Sequence, residues 1–296
     1  MYNHQLDTFI RIADAGSFGK AAESLYVSAP AIIQQINLLE ERCGFKLFRR
    51  SNHGVKLTPA GKSLYKDAQA IIKLSENALD KARHLAKSAE STIRIGTSLL
   101  FKCRLLPDIC SKISELHPEL KFEIPSLSEQ LTRDNDFSDI GVKFDILEGI
   151  NCTISWKGLC NFLELMRTPI CCAVAKEHPL AHRDILKMDD LNGECLVMPI
   201  QNVSKELDGF RREIKRNFPA TRIIDSPYFG LDTFTFCEMN PYILITQPVY
   251  SDIHTNLVTI PLNTEYTLPY GLIYANEPTM ATSKFIDLVK RVKEAE

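Results

Sequence analysis

Residues 17–61 read SFGKAAESLYVSAPAIIQQINLLEERCGFKLFRRSNHGVKLTPAG. Two short helical patterns lie close together at the start of this stretch. Ser17 stands as a cap before FGKAAESLY, whose Ala21, Ala22 and Leu25 face one way. Val27 and Ser28 make a turn and a second cap. In the helix that follows, Ile32, Ile36, Leu39 and Cys43 recur at spacings of four, three and four, which is a core-facing stripe. Pro30 is tolerated because it falls in the first turn, where a missing N–H is no loss. Gly44 ends the helix. Upstream, Leu6, Phe9, Ile10 and Ala13 mark another amphipathic helix that stops at Gly16.

A tight pair of helices whose second member offers its N-terminal half matches a helix-turn-helix. The face opposite the core stripe carries Ala29, Pro30, Ile33, Gln34 and Asn37, preceded by Ser28. It is poor in charge. Such a face suits apolar contact with thymine methyls, and a glutamine or asparagine reading adenine, so A·T-containing half-sites are expected. FKLFRRSNHGVKL then reads as two strands about Ser51–Gly54. Arg49, Arg50 and Lys56 lie on that hairpin, a basic wing placed to meet phosphates or a minor groove.

Thr58 caps a long helix and Pro59 opens it. It runs to about Lys87, roughly 45 Å. Leu64, Ala68, Ile71, Ser75, Ala78, Ala82 and Leu85 keep alternating spacings of four and three, broadened by Ile72 and Leu79. A heptad-like seam of this length predicts pairing of two copies through the helix. Residues 1–90 hold 13 Lys+Arg and 9 Asp+Glu, a net +4. The whole chain is at −2, so the remainder is at −6. A basic head on an acidic body points to a polyanion binder attached to something else.

Here the pattern resembles a known family. Ala21-Ala22, Leu25, Ser28, Ala31, Gln35, Ile36, Leu39-Glu40, Leu47-Phe48, Arg50 and Leu57-Thr58-Pro59-Ala60-Gly61 stand in the order and spacing of LysR-type transcriptional regulators. The resemblance covers residues 3–65 closely and is weak beyond 95, where EHPLA (177–181) is its clearest echo. It implies an all-α winged helix-turn-helix with a long linker helix, followed by a C-terminal α/β effector domain of two periplasmic-binding-protein-like lobes. It also implies double-stranded DNA as partner, a homodimer through the linker helix, a homotetramer, and RNA polymerase as a contact of an activator. Expected domains are 1–58, 59–90 and 91–296. Within the last, lobe I is expected at about 92–162 plus 267–296, and lobe II at about 163–266.

The residues of the C-terminal part agree with an α/β class. Strand-like STIRIG, FDILEG, RTPICCAVA, GECLVMP, YILITQP and LVTIPL alternate with helical SKELDGFRREIKRNF and TSKFIDLVKRVKE. An effector is expected between the lobes, where strand ends meet helix N-termini. The candidates are Thr97, Ser98, Ser126, Ser128, Gln201, Asn202 and Ser204, with Arg104 and Arg133 as possible partners for a carboxylate. The resemblance gives most weight to 97–98 and 201–204.

Two other classes stand beside this reading. One is an enzyme or transport-type binding protein with an appended DNA-binding head, for which no P-loop, GxGxxG, GxSxG or HExxH speaks. No catalytic residue, cofactor or metal site is therefore expected. A thiol redox sensor is open because nine cysteines are present: Cys43, Cys103, Cys110, Cys152, Cys160, Cys171, Cys172, Cys195 and Cys237. Their number is odd and no CxxC occurs, which favours small buried side chains over a disulfide framework or zinc. No apolar run approaches the roughly 18–20 residues of a membrane span. The first residues lack a basic-then-apolar leader, so a cytoplasmic protein is expected.

Overall fold

The computed structural model describes residues 4–51, 54–87, 91–127, 139–151, 158, 160–226 and 229–295. The chain divides into two units, Met1–Leu85 and Ala86–Glu296.

In the first unit, α1 (Gln5–Ala15), α2 (Phe18–Ser24) and α3 (Ala29–Cys43) pack about Phe9, Ile12, Ala21, Ala22, Ile32, Ile36 and Leu39. The stripe read from the sequence is thus the core. Ser28 accepts from the Ala31 N–H as the α3 cap. Ser17 holds the cap position of α2 in extended backbone, but its side chain makes no capping bond. A hairpin follows, β1 (Phe48–Ser51) against β2 (Gly54–Leu57). The strand expected from Phe45 begins only at Phe48, because the Leu47 and Phe48 N–H groups turn to the buried Glu40 carboxylate, at 2.8 and 3.2 Å. Gly54 is required at the wing: a Cβ there would lie 2.7 Å from the Gly16 oxygen, and Val55 N–H already bonds that same oxygen at 2.9 Å.

Helix α4 spans Pro59–Lys87. Thr58 accepts from the Gly61 N–H at 2.9 Å and donates to the Lys46 carbonyl at 2.8 Å, so it caps the helix and ties it to the wing. The expected seam divides. Leu64, Ala68 and Ile72 pack against the core of their own head, while Ile71 remains exposed, as does Leu74, which lies outside that seam. The reason is that the first turns of α4 lie flush on Leu47. A Cβ on Gly61 would come within 2.2 Å of the Leu47 oxygen. The side chain of Leu85 lies outside the described residues.

The second unit holds two sheets. Lobe I has the order β4-β3-β5-β13-β6, with β3 (Thr92–Gly96), β4 (Lys121–Glu123), β5 (Ile146–Ile150), β6 (Cys160–Pro169) and β13 (Thr267–Ala275). Helices α5 (Leu106–Leu116) and α8 (Met280–Ala295) cover one face through Leu106, Ile113, Phe285, Ile286 and Val289. Lobe II has the order β10-β9-β11-β7-β12-β8, with β7 (Cys171–Ala175), β8 (Leu186–Lys187), β9 (Cys195–Pro199), β10 (Arg222–Ser226), β11 (Ile243–Thr246) and β12 (Leu257–Asn263). Helix α6 (Lys205–Asn217) packs on one face of this sheet and α7 (Leu231–Glu238) on the other.

The expected crossover at residue 162 needs correction. β6 pairs with β13 of lobe I from Cys160 to Pro169, so the chain changes sheets only between Pro169 and Cys171. The run RTPICCAVA looked like one strand because Ile170 keeps the apolar pattern across the break, and the pattern carries no sign of a change of partner.

Candidate functional site

On the first unit, Ser28, Pro30, Gln34 and Asn37 are exposed along the outer face of α3 and at its start. Ile33 is half-buried. Ala29 is half-buried too and packs against the core, so its methyl serves the fold as well as the outer face. On the wing, Arg49 stands directly opposite Lys56, and both are exposed. Residues paired in this way point to the same face of a hairpin, and like charges there repel. A polyanion laid on that face would relieve the repulsion. The side chain of Arg50 lies outside the described residues.

Glu40 was read from the sequence only as part of a family pattern. It is 6% exposed and also meets Lys46 Nζ at 2.7 Å. Burial pushes its carboxyl up, but the Lys46 ammonium and the Leu47 and Phe48 amides together outweigh burial and hold it below the ordinary glutamate range. One carboxylate thereby fixes the start of the wing relative to the end of α3.

In the second unit, Thr97 and Ser126 are brought together by a parallel bridge. The Thr97 hydroxyl donates to the Phe101 carbonyl at 3.0 Å, and Ser98 Oγ accepts from Phe101 N–H at 3.2 Å. These hydroxyls first shape their own loop. Gln201 and Asn202 form an exposed turn after β9, and the Asn202 N–H donates to the Asp208 carboxylate at 3.2 Å. Ser204 differs from expectation. It is buried, accepts from Glu206 and Leu207 N–H as the α6 cap, and donates to Glu206 Oε2 at 2.7 Å. All of its capacity goes to capping, so it has nothing to offer an effector. Ser128 and Arg133 lie outside the described residues. Arg104 is committed to Asp252 at 2.6 Å.

Three features escaped sequence reading. Glu148 is buried against the start of α5, and Lys102 joins Arg104 on Asp252. A cavity of about 420 Å³ in lobe II is bounded by Ile224, Asp225, Ser226, Asp232, Thr233 and Phe236, together with Val197. It includes none of the candidate effector residues.

Burial raises the thiols of Cys110 and Cys237 to about 12, and those of Cys160 and Cys171 to about 11. Cys103, Cys172 and Cys195 move the same way, again first by burial. Among the described residues, no cluster of three His, Cys, Asp or Glu is arranged to hold a metal, and no helix is long and apolar enough to cross a membrane.

Residues 3–62 match the family model described as a bacterial regulatory helix-turn-helix protein of the lysR family, and residues 86–227 match the LysR substrate binding domain. The chain belongs to the LysR family. Among curated relatives of this LysR protein, the regulator BudR of Klebsiella aerogenes is 44% identical over 88 residues, covering 30% of this chain and 62% of BudR. YbhD of Escherichia coli is 28% identical over 66% of this chain and 61% of its own length. Less than two thirds of either relative is thus spanned. CysL of Bacillus subtilis is 29% identical across 98% of this chain and 97% of CysL. The crystal structure of CbnR, a LysR family transcriptional regulator, superposes with a TM-score of 0.67 at 19% identity, covering 98% of this chain and 99% of CbnR. Full-length CbnR in complex with its target DNA gives 0.66. At that identity the likeness concerns the fold.

Proposed function

We propose that this LysR protein is a cytoplasmic transcriptional regulator without catalytic activity, controlled by a small molecule held between the lobes of its effector domain. The observation that carries the DNA reading is the wing, where Arg49 faces Lys56 beside the exposed start of α3. Arg49, Arg50 and Lys56 meet phosphates, while Pro30, Ile33, Gln34 and Asn37 read bases, with Ala29 and Ser28 at the groove edge. The apolar Ile71 and Leu74 on α4 support a homodimer through that helix, and two such dimers form the tetramer. In an activator the same DNA-bound assembly contacts RNA polymerase.

Thr97, Ser98, Ser126, Ser128, Gln201 and Asn202 remain the candidate effector contacts. The raised thiols favour this ligand-responsive reading over a redox sensor, since a protonated thiol is a poor nucleophile toward peroxide.

Salt titration of operator binding is the test. Arg49→Ala and Lys56→Ala should each lower affinity for all sequences alike and reduce the slope of log K against log salt by about one. Gln34→Ala should cost discrimination at one base pair. A wing variant with an unchanged salt slope overturns the phosphate role. Thr97→Val with Ser98→Ala should remove the ligand-induced rise in melting temperature in a metabolite screen and spare DNA binding.

A further inference from the structure

Residues 97–105 join β3 to α5 and begin with the two hydroxyls of the candidate effector site. Inside lobe I their far end is pinned by Glu148 on β5, which is 1% exposed. Its Oε1 accepts from Arg104 and Leu105 N–H and its Oε2 from Leu106 N–H, each at 2.9 Å. The Tyr270 hydroxyl donates to Oε1 at 2.7 Å. The amides that a helix start would offer to an anion are therefore already facing a carboxylate.

The same segment grips lobe II. Arg104 Nη2 donates to the Val249 carbonyl and to Asp252 Oδ1, both at 2.6 Å. Lys102 Nζ stands 2.9 Å from Asp252 Oδ2. Leu100 packs into the lobe II cluster of Phe229, Phe234 and Tyr250. Residues 249–252 lie between β11 and β12, so these are contacts between lobes. Hydrogen bonding by Lys102, followed by the charge of Arg104, holds the Asp252 carboxyl below the ordinary aspartate range.

We propose that Asp252, gripped by Lys102 and Arg104, is a latch that holds the two lobes together through the loop presenting Thr97 and Ser98. This deepens the reading of the interlobe cleft as the effector site and rests on it. Ion pairs on a carboxylate that is half in solvent are individually weak. That weakness suits a switch, because a closed state favoured only several-fold is one that a bound molecule can shift. Glu148 makes the grip effective, since the cations hang from backbone that is fixed to lobe I. Screening by salt acts directly on such half-exposed charges.

Amide hydrogen exchange on the full-length protein tests the latch, with no small molecule added. In Asp252→Asn, peptides from 99–103 and 248–253 should exchange about three- to tenfold faster, while those from β9 and β13 keep their rates. Raising salt should move the wild type toward the variant and leave the variant where it is. Asp252→Glu should restore part of the protection. Lys102→Ala with Arg104→Ala should accelerate exchange at least as much, because it also removes the Arg104 bond to the Val249 carbonyl, and adding Asp252→Asn to that pair should change nothing further. Unchanged exchange, fully additive effects, or acceleration spread through all of lobe II would each overturn the latch. Because no ligand is present, such a result leaves the effector reading to the Thr97 and Ser98 variants.

Discussion

Glu40→Ala should strip the head of its wing anchor. Leu47 and Phe48 are 0% and 7% exposed, so their N–H groups would lose their acceptor in a place water does not reach. Each such orphaned donor costs about 1–3 kcal/mol. Lys46 is 73% exposed, so losing that ion pair adds under about 1 kcal/mol. The total is about 4 kcal/mol, a large part of the stability of a domain this small. Glu40→Gln keeps an oxygen for both amides but gives up charge assistance, at about 1 kcal/mol per bond, and so should cost about 2 kcal/mol. Scanning calorimetry of the full-length protein reads this as a shift of the head transition, with the effector-domain transition unmoved. The sign with pH also follows. A carboxyl lowered in the folded state stabilises the head above the ordinary glutamate pKa, and that stability is lost as pH falls through the folded value. The wild type should weaken on this acid limb while Glu40→Gln lacks it. If Gln costs as much as Ala, or if both cost under about 0.5 kcal/mol, the carboxylate is not what holds the wing.

Gly61→Ala should destabilise the head although alanine favours helix, because the new Cβ would meet the Leu47 oxygen at 2.2 Å; calorimetry should show a lower head transition, not a higher one. Tyr26 is 97% exposed and has φ +56°, so it contributes no packing and bears left-handed strain. Tyr26→Asn should raise head stability by about 0.5–1 kcal/mol in the same scan. With Cys110 and Cys237 held near 12 by burial, neither is a thiolate at pH 8; mass spectrometry after mild peroxide should find both reduced, and operator binding unchanged.

Much of the head was legible in the sequence because its elements are short and locally specified. The stripe Ile32, Ile36, Leu39 and Cys43 is a matter of helical period, the wing is announced by its turn residues, and both need only neighbours close in the chain. The effector domain was legible as alternating strands and helices, but not in its partition. Residues 160–169 join lobe I by pairing with β13, 98 to 115 positions away, and an apolar run is silent about its partner.

The candidate site divides in the same way. Residue types at the start of α3 and on the wing could be named from spacing, since a cap and a turn fix which way nearby side chains face. What the hydroxyls of 97–98 and 201–204 do was decided by tertiary structure. Ser204 is consumed by its own helix, while Gln201 remains exposed three residues away. Arg104, which the sequence offered as a possible partner for an effector carboxylate, finds Asp252 across the lobes, 148 positions on. The sequence by itself determined the family, the helix-turn-helix and the class of each domain, because periodicity and caps are local. Only the tertiary structure decided which polar groups are already satisfied, because hydrogen bonds and ion pairs are made with whatever the fold brings near.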